Sequence, residues 1–506
     1  MSPMPGAAGR REWIALSILA LPTLLVSMDM SILFLAGPSL STALRPSGSE
    51  LLWISDIYGF LLAGALIPMG TIADRFGRRR LLLIGALFFG IASVLAAYAK
   101  SPVALIGARA LMGIAGATLL PSTLALIRNL FHAPQQRSFA IGIWTTCFTL
   151  GGVLGPIVGG FLLERFWWGS VFLIGVPIML GLLLLGPIFL PEFRKPIVQR
   201  LDILSVAQSV LSLLAIIYAI KHAAEHGITP VSAVSLASGL VLGALFLSRQ
   251  TRLSEPLIDL ALFRNTAFIT AIGANTSALF AWGGASLLVA QYLQLVIGLS
   301  PMSAGLWTIP AAVGSVIGGL AAAALSQRRS NAVIVSVALF ITAVGLGVIA
   351  GLTAKFGLAA IILGMMLLGL GVAAVVTLGT DVVLAAVPPE KAGAASAISE
   401  TGADLGGALG VALLGSVGVA VYRATMTIPP GASFEQGNAA RDTLGAALGV
   451  AARLPVTIGS ELRVSAQSAF SSGFGMAIGT GSIVLFAVTI IFAWASHRRP
   501  SCTSQL

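Results

Sequence analysis

The sequence predicts an all-α polytopic membrane protein with fourteen transmembrane helices, arranged as two six-helix bundles plus two inserted helices. Three observations carry that prediction: an apolar composition, the number of long apolar runs and an internal repeat. Of 506 residues, 57% are hydrophobic and 9% charged, whereas soluble globular chains run at about 45–50% apolar and about 25% charged. So few charges cannot cover several soluble domains, and the apolar stretches recur from end to end. A soluble enzyme with an added anchor, a disordered chain and a secreted disulfide scaffold are all excluded. The two cysteines, Cys147 and Cys502, form no disulfide framework.

A helix needs about 20 mostly apolar residues to cross roughly 30 Å of hydrocarbon. On that rule eight spans fall near 13–36, 51–71, 81–99, 103–127, 139–163, 168–190, 203–220 and 231–248. Six more follow near 267–297, 302–325, 332–352, 357–385, 396–423 and 472–495. The basic stretch Met1–Arg11 precedes a run that contains Asp29 and lacks a small-residue cleavage site. That run is expected to be a retained first span rather than a signal peptide.

An even number of spans puts both termini on one side of the membrane. The 29 Lys and Arg residues against 18 Asp and Glu give a net charge of +11. With the termini in the cytoplasm, 19 basic residues fall inside, nine (Lys221 among them) outside, and Arg109 within a span. This is the positive-inside distribution. The basic excess is therefore topological, and no nucleic acid is expected as a partner.

The halves repeat. Leu150–Gly155 (LGGVLG) recurs 255 residues later as Leu405–Gly410 (LGGALG), and the same offset carries Pro134 onto Pro389. Spans one to six thus correspond to spans nine to fourteen, with seven and eight inserted, as expected of a transporter built from repeats. The expected divisions are a six-helix bundle over 1–190, the inserted pair with its loops over 191–266, and a second bundle over 267–506. That last segment includes a long outer loop at about 424–471, of mixed polarity, suited to a helical hairpin.

Four motifs sit at fixed places on these spans. The loop after span two reads Gly70-Thr71-Ile72-Ala73-Asp74-Arg75-Phe76-Gly77-Arg78-Arg79-Arg80. Span four carries Arg109 within Leu105–Gly113, and span five carries Gly151-Gly152-Val153-Leu154-Gly155-Pro156-Ile157-Val158-Gly159-Gly160. Span one ends in Met28-Asp29-Met30-Ser31 followed by Ala36-Gly37-Pro38, and span two opens on Trp53-Ile54-Ser55-Asp56-Ile57-Tyr58. Taken singly, the first is a basic cytoplasmic turn and the glycines are small-residue packing.

Together these strings resemble the major facilitator superfamily over essentially the whole chain. The first resembles its signature loop, with Ile72 for the usual Leu, and implies a conformational latch made by Gly70, Asp74, Arg75, Gly77 and Arg78. The second resembles its intramembrane-arginine motif, with Met112 where Gln is common, and implies a counter-ion or proton-relay role for Arg109. The third is similar to its antiporter motif, on Gly151, Gly155, Pro156, Gly159 and Gly160. The span-one and span-two strings resemble the fourteen-span drug:proton antiporters, and Asp56 resembles the branch exporting quaternary ammonium compounds and methyl viologen. Two departures stand out: Ser315 where some of these exporters carry an acid, and Ser399-Glu400 where some carry paired acids.

A charge inside hydrocarbon is costly, so intramembrane acids are functional candidates. Asp29 and Asp56 share a depth on neighbouring spans, while Glu400 and Asp404 are four residues apart on one face of span thirteen. These four are the candidate proton- and substrate-binding residues. Trp53, Tyr58 and Trp144 are a candidate aromatic cage for organic cations, and each also fits plain packing. Burial disfavours the charged form of a carboxyl, so a proton and a cation compete for such a group.

No phosphate loop, nucleophile–base arrangement or metal-ligand cluster occurs in the sequence. The expectation is a secondary active transporter, not an enzyme, with no cofactor and no metal, driven by the proton gradient. Its expected partners are lipophilic cationic small molecules, protons and the lipid bilayer. It is expected as a monomer in the bacterial inner membrane, with both termini cytoplasmic. The rival readings are a proton-coupled importer of a small nutrient and, further off, a membrane sensor or scaffold.

Overall fold

The computed structural model describes residues 9–193, 202–253, 256–258, 260–387 and 392–497. Among these residues there is no strand, and fourteen helical segments are long and apolar enough to cross a membrane. The first five spans are α1 (Arg10–Leu44), α2 (Gly48–Phe76), α3 (Arg78–Ala97), α4 (Pro102–Leu130) and α5 (Pro134–Arg165). The sixth is broken into α6 (Ser170–Leu173) and α7 (Gly175–Phe189), and the inserted pair is α8 (Ile203–His226) and α9 (Pro230–Gln250). Then come α10 (Thr266–Leu295), a tenth span broken into α11 (Pro301–Leu306) and α12 (Ile309–Leu325), α13 (Asn331–Phe356) and α14 (Leu358–Ala385). The chain closes with α15 (Ala392–Thr425), the short α16 (Phe434–Asp442) and α17 (Leu444–Ala451), and α18 (Val456–His497).

Local signals set these ends. Ser47 and Glu50 cap α2 reciprocally: the Ser47 hydroxyl accepts from the Glu50 amide at 3.2 Å, and the Glu50 carboxylate accepts from the Ser47 amide at 2.8 Å. Asp202 caps α8, and Gly227, at φ 76°, ends it. The stop expected at residue 220 is therefore wrong by almost two turns. Lys221, expected outside the spans, lies on α8 instead and is buried, with His222 and His226 on the same helix.

The last span also differs. Hydropathy starts it near 472, but α18 begins at Val456 and runs 42 residues, about 60 Å at 1.5 Å per residue. The outer segment expected at 424–471 is accordingly helical over much of its length. Its α16 and α17 pack on each other, as expected of a hairpin.

The chain divides into two compact units. The first comprises Met1–Arg249, Ala290–Leu306 and Thr425–Ser468; the second comprises Gln250–Val289, Trp307–Ala424 and Ala469–Leu506. The inserted pair thus belongs with the first unit. Within that unit α1 packs on α5 and α7, α2 on α4 and α8, and α3 on α4 and α7. Within the second, α14 packs on α12 and α13.

The sequence repeat reappears as packing. In the first unit Gly151 and Gly155 of α5 lie against the Leu24 and Met28 carbonyls of α1, where a Cβ would collide. In the second, Gly406 and Gly410 of α15 lie against the Thr276 and Phe280 carbonyls of α10 in the same way. The spacing is four residues on every helix concerned, so both halves use one small-residue seam. Pro389 lies outside the described residues, as does the side chain of Pro134.

The inserted pair is tied at its other end by Asp202 and Arg249. Arg249 donates to the Asp202 carboxylate from Nε at 2.7 Å and from Nη2 at 3.0 Å. The Ser205 hydroxyl donates at 2.6 Å and its amide at 3.3 Å. These donors, Arg249 first, lower the Asp202 carboxyl to about 2 from an ordinary 3.8. Its contribution is therefore complete above 3.8 and is lost as pH falls through 2. Asp202→Ala is expected to cost about 0.5–2 kcal/mol through the lost cap, since a partly exposed ion pair adds little. The melting temperatures of the variant and the wild type should converge as pH is lowered from 4 toward 2.

Candidate functional site

Arg109 of α4 is fully buried and forms the polar centre of the first unit. Its guanidinium Nη1 donates to Asp29 Oδ2 of α1 in a close, buried ion pair. Its Nε donates to the Ile54 carbonyl of α2 at 3.3 Å. The Tyr58 ring lies 4.5 Å from the guanidinium carbon and the Phe172 ring 5.9 Å. One arginine thus holds spans one, two, four and six together, and its planar fork suits such a multi-partner position. Of the two roles expected for Arg109, the geometry is that of a counter-ion to Asp29.

Asp56 of α2 has a partner that sequence reasoning missed. The Lys221 ammonium of α8 lies 2.7 Å from each of its carboxylate oxygens. The same nitrogen is 3.8 Å from the centroid of the Trp53 ring. Asp56 is 2% exposed and Lys221 1%, so water does little to screen the pair. Beside it is a cavity of about 410 Å³ whose lining includes Glu50, Trp53, Tyr218, Lys221, Glu225 and His226. The signal for Lys221 was Gly227: a glycine terminator past His226 carries the helix through the charged residues at 221–226.

The three expected cage aromatics do not form one cage. Trp53 faces Lys221 and Tyr58 faces Arg109, while the Trp144 indole donates to the Thr123 hydroxyl at 3.0 Å and stacks on Phe148. Each has a separate partner. The physical pattern that emerges is a different one: two acid–aromatic settings, each holding a cation of the chain itself.

In the second unit Glu400 and Asp404 lie one turn apart on α15. The Asp404 Oδ2 atom is buried with no hydrogen-bond partner among the described residues, and so are the Thr401 hydroxyl and Asn275 Oδ1. Asn275 of α10 donates from Nδ2 to the Ser399 hydroxyl at 3.4 Å. Buried polar atoms are ordinarily paired, so this cluster has room for an exchanging proton or donor. Asn275, buried on an apolar helix, carried no motif that would have marked it.

The expected latch is built around Gly77, whose φ of 109° suits glycine and whose Cα faces the Glu192 carboxylate. The Arg79 amide donates to Glu192 Oε1 at 3.1 Å, the Arg78 amide to the Phe193 carbonyl at 3.2 Å, and the Arg78 guanidinium to the Ala125 carbonyl at 3.0 Å. Glu192 is thus a partner of this loop that the motif does not contain. Arg75 is exposed with its guanidinium over the Phe76 ring, Gly70 makes an ordinary contact with Pro121, and the side chain of Asp74 lies outside the described residues. In the antiporter motif, Gly159 abuts Ile32, Gly160 abuts the backbone of Pro301 and Met302, and the Pro156 carbonyl abuts Gly305.

A family model described as Major Facilitator Superfamily matches residues 19–411. The multidrug efflux pump LfrA of Mycolicibacterium smegmatis is 44% identical over 482 residues, covering 95% of this chain and 96% of that protein. The methyl viologen resistance protein SmvA of Salmonella typhimurium is 34% identical over 495 residues, covering 97% and 99%. Among solved structures, a bacterial homologue of the human lysosomal transporter Spinster, inward-facing and unoccupied, superposes with a TM-score of 0.68 at 17% identity, covering 97% of this chain and 98% of that one. That likeness concerns the fold. With fourteen candidate spans, an arginine-centred first unit, a family model over residues 19–411 and relatives named as a multidrug efflux pump and a methyl viologen resistance protein over at least 95% of its length, the chain belongs to the major facilitator superfamily.

Proposed function

We propose that this transporter exports lipophilic organic cations, such as quaternary ammonium compounds, dyes and viologens, in exchange for protons by alternating access. It works as a monomer in the bacterial inner membrane with both termini cytoplasmic. The observation that carries this reading is Asp29, buried in span one and ion-paired with a cation of the chain, Arg109. A carboxylate held that way in hydrocarbon is costly unless it is paired or neutral. An arriving organic cation favours the ionised acid and drives a proton off; a returning proton neutralises the acid and releases the cation. Asp404, with a buried oxygen left unpaired, offers a second exchange point in the other unit. The names of the relatives, a multidrug efflux pump and a methyl viologen resistance protein, agree with the substrate class.

The test is ethidium efflux from loaded cells, with and without an uncoupler, for the wild type and Asp29→Asn. Efflux by the wild type should collapse on adding the uncoupler, and the variant should fall to the rate of cells lacking the protein. Efflux that ignores the uncoupler, or a fully active variant, contradicts proton coupling through Asp29.

A further inference from the structure

We propose that Lys221 is a specificity-determining residue: a tethered ammonium that fills an organic-cation subsite made by Asp56 and Trp53 and competes there with the substrate. The inference rests on the organic-cation reading above and deepens it. A carboxylate beside an aromatic face is the pair that recognises an organic ammonium. Here the Lys221 nitrogen takes both halves of that recognition, 2.7 Å from the carboxylate and 3.8 Å from the Trp53 centroid.

Stability alone gives no reason for the arrangement. A buried ion pair is often no better a stabiliser than well-packed apolar residues of the same volume. The surroundings, in contrast, suit a ligand. The cavity beside the pair, about 410 Å³, lies within the range of small-molecule pockets, about 300–1,000 Å³. Besides Lys221, the charged and titratable groups around it are Glu50 of α2 and Tyr218, His222, Glu225 and His226 of α8, with Arg109 of α4 also acting on Asp56.

The two acids of the first unit are therefore held differently. Arg109 is fully buried and fixed by a carboxylate, a carbonyl and two rings. Lys221 is a point charge on a flexible stem, bonded to Asp56 and bordering open space. A cation entering that space meets an ammonium already in its place. Because Lys221 comes from the inserted pair, the insertion supplies the competitor.

The test is titration of purified full-length protein with ethidium by calorimetry, in two buffers of different ionisation enthalpy, so that affinity and proton release are read together. Lys221→Met leaves Asp56 without its ammonium, and a buried acid in that position takes up a proton instead. Lys221→Met is expected to bind ethidium about tenfold more tightly than the wild type and to release a further proton per ethidium bound. Asp56→Asn added to Lys221→Met should remove both gains.

Wild-type affinity and wild-type proton release in Lys221→Met, or a gain that survives Asp56→Asn, would overturn the proposal. Should Lys221→Met not give monodisperse protein, Lys221→Gln, which keeps a donor to Asp56 without the charge, must show the same two gains. Ethidium binding to no folded protein, the wild type included, would instead overturn the organic-cation reading itself. Tight wild-type binding with an unaltered Lys221 variant leaves that reading standing and removes only the competitor.

Discussion

Replacing Arg109 with leucine is expected to destabilise the folded protein by about 3–5 kcal/mol, because it leaves Asp29 buried without its counter-ion. The same substitution removes the donor to the Ile54 carbonyl and the cation between the Tyr58 and Phe172 rings. The yield of monodisperse protein in detergent and its melting temperature should both fall sharply. Adding Asp29→Asn to Arg109→Leu removes the second charge and should recover most of that loss, since a buried pair replaced on both sides is often nearly neutral. Ethidium efflux should nonetheless remain at background in the double variant, because no exchanging acid is left in span one. Arg109→Lys is expected to rescue poorly, since a lysine has no fork to reach the carboxylate and the carbonyl together. An Arg109→Leu protein that melts like the wild type would show that the pair does not hold these spans.

The second large effect concerns span thirteen. Asp404 places a buried oxygen where no described group donates to it, one turn from Glu400. Asp404→Asn and Glu400→Gln keep the shape of each side chain while removing its ability to exchange a proton. Each is expected to slow proton-driven ethidium exchange in everted vesicles by about tenfold or more, equivalent to about 1.4 kcal/mol in the barrier. The fold should survive, because the seam made by Gly406 and Gly410 against α10 is untouched. Exchange within about twofold of the wild type in both variants would make these acids structural. A loss in one alone would assign the proton to that residue.

Much of this was legible in the sequence, for identifiable reasons. Fourteen apolar runs give fourteen spans because hydrocarbon thickness fixes their length. The glycine repeat marked both seams because only a residue without Cβ lets two helix backbones meet at Leu24 and Met28, or at Thr276 and Phe280. Asp29 and Arg109 stood out because each is expensive in hydrocarbon, and they proved to be each other's partners.

What the sequence hid was pairing. Lys221 lies 165 residues from Asp56, and nothing local links them. Its helix was cut short because hydropathy falls over the charged residues at 221–226, whereas the terminating Gly227 sets the true end. The aromatics misled for a related reason: Trp53 and Tyr58 are spaced plausibly for one cage, but each is turned to a different cation of the chain. The start of α18 was missed because residues 456–471 are too polar to read as a span, although they continue its helix. Glu192 escaped because it belongs to a segment distant in sequence from the loop it contacts.

The central claim is that a substrate cation and a proton displace one another at buried acids. It is tested most directly in proteoliposomes holding the purified protein and a trapped pH-sensitive dye, with no membrane potential imposed. Adding methyl viologen outside should move protons across the membrane at a rate that depends on substrate concentration. That flux should vanish in Asp29→Asn and in liposomes without protein. Substrate uptake with no accompanying proton movement in the wild type, or the same proton movement in Asp29→Asn, would contradict it.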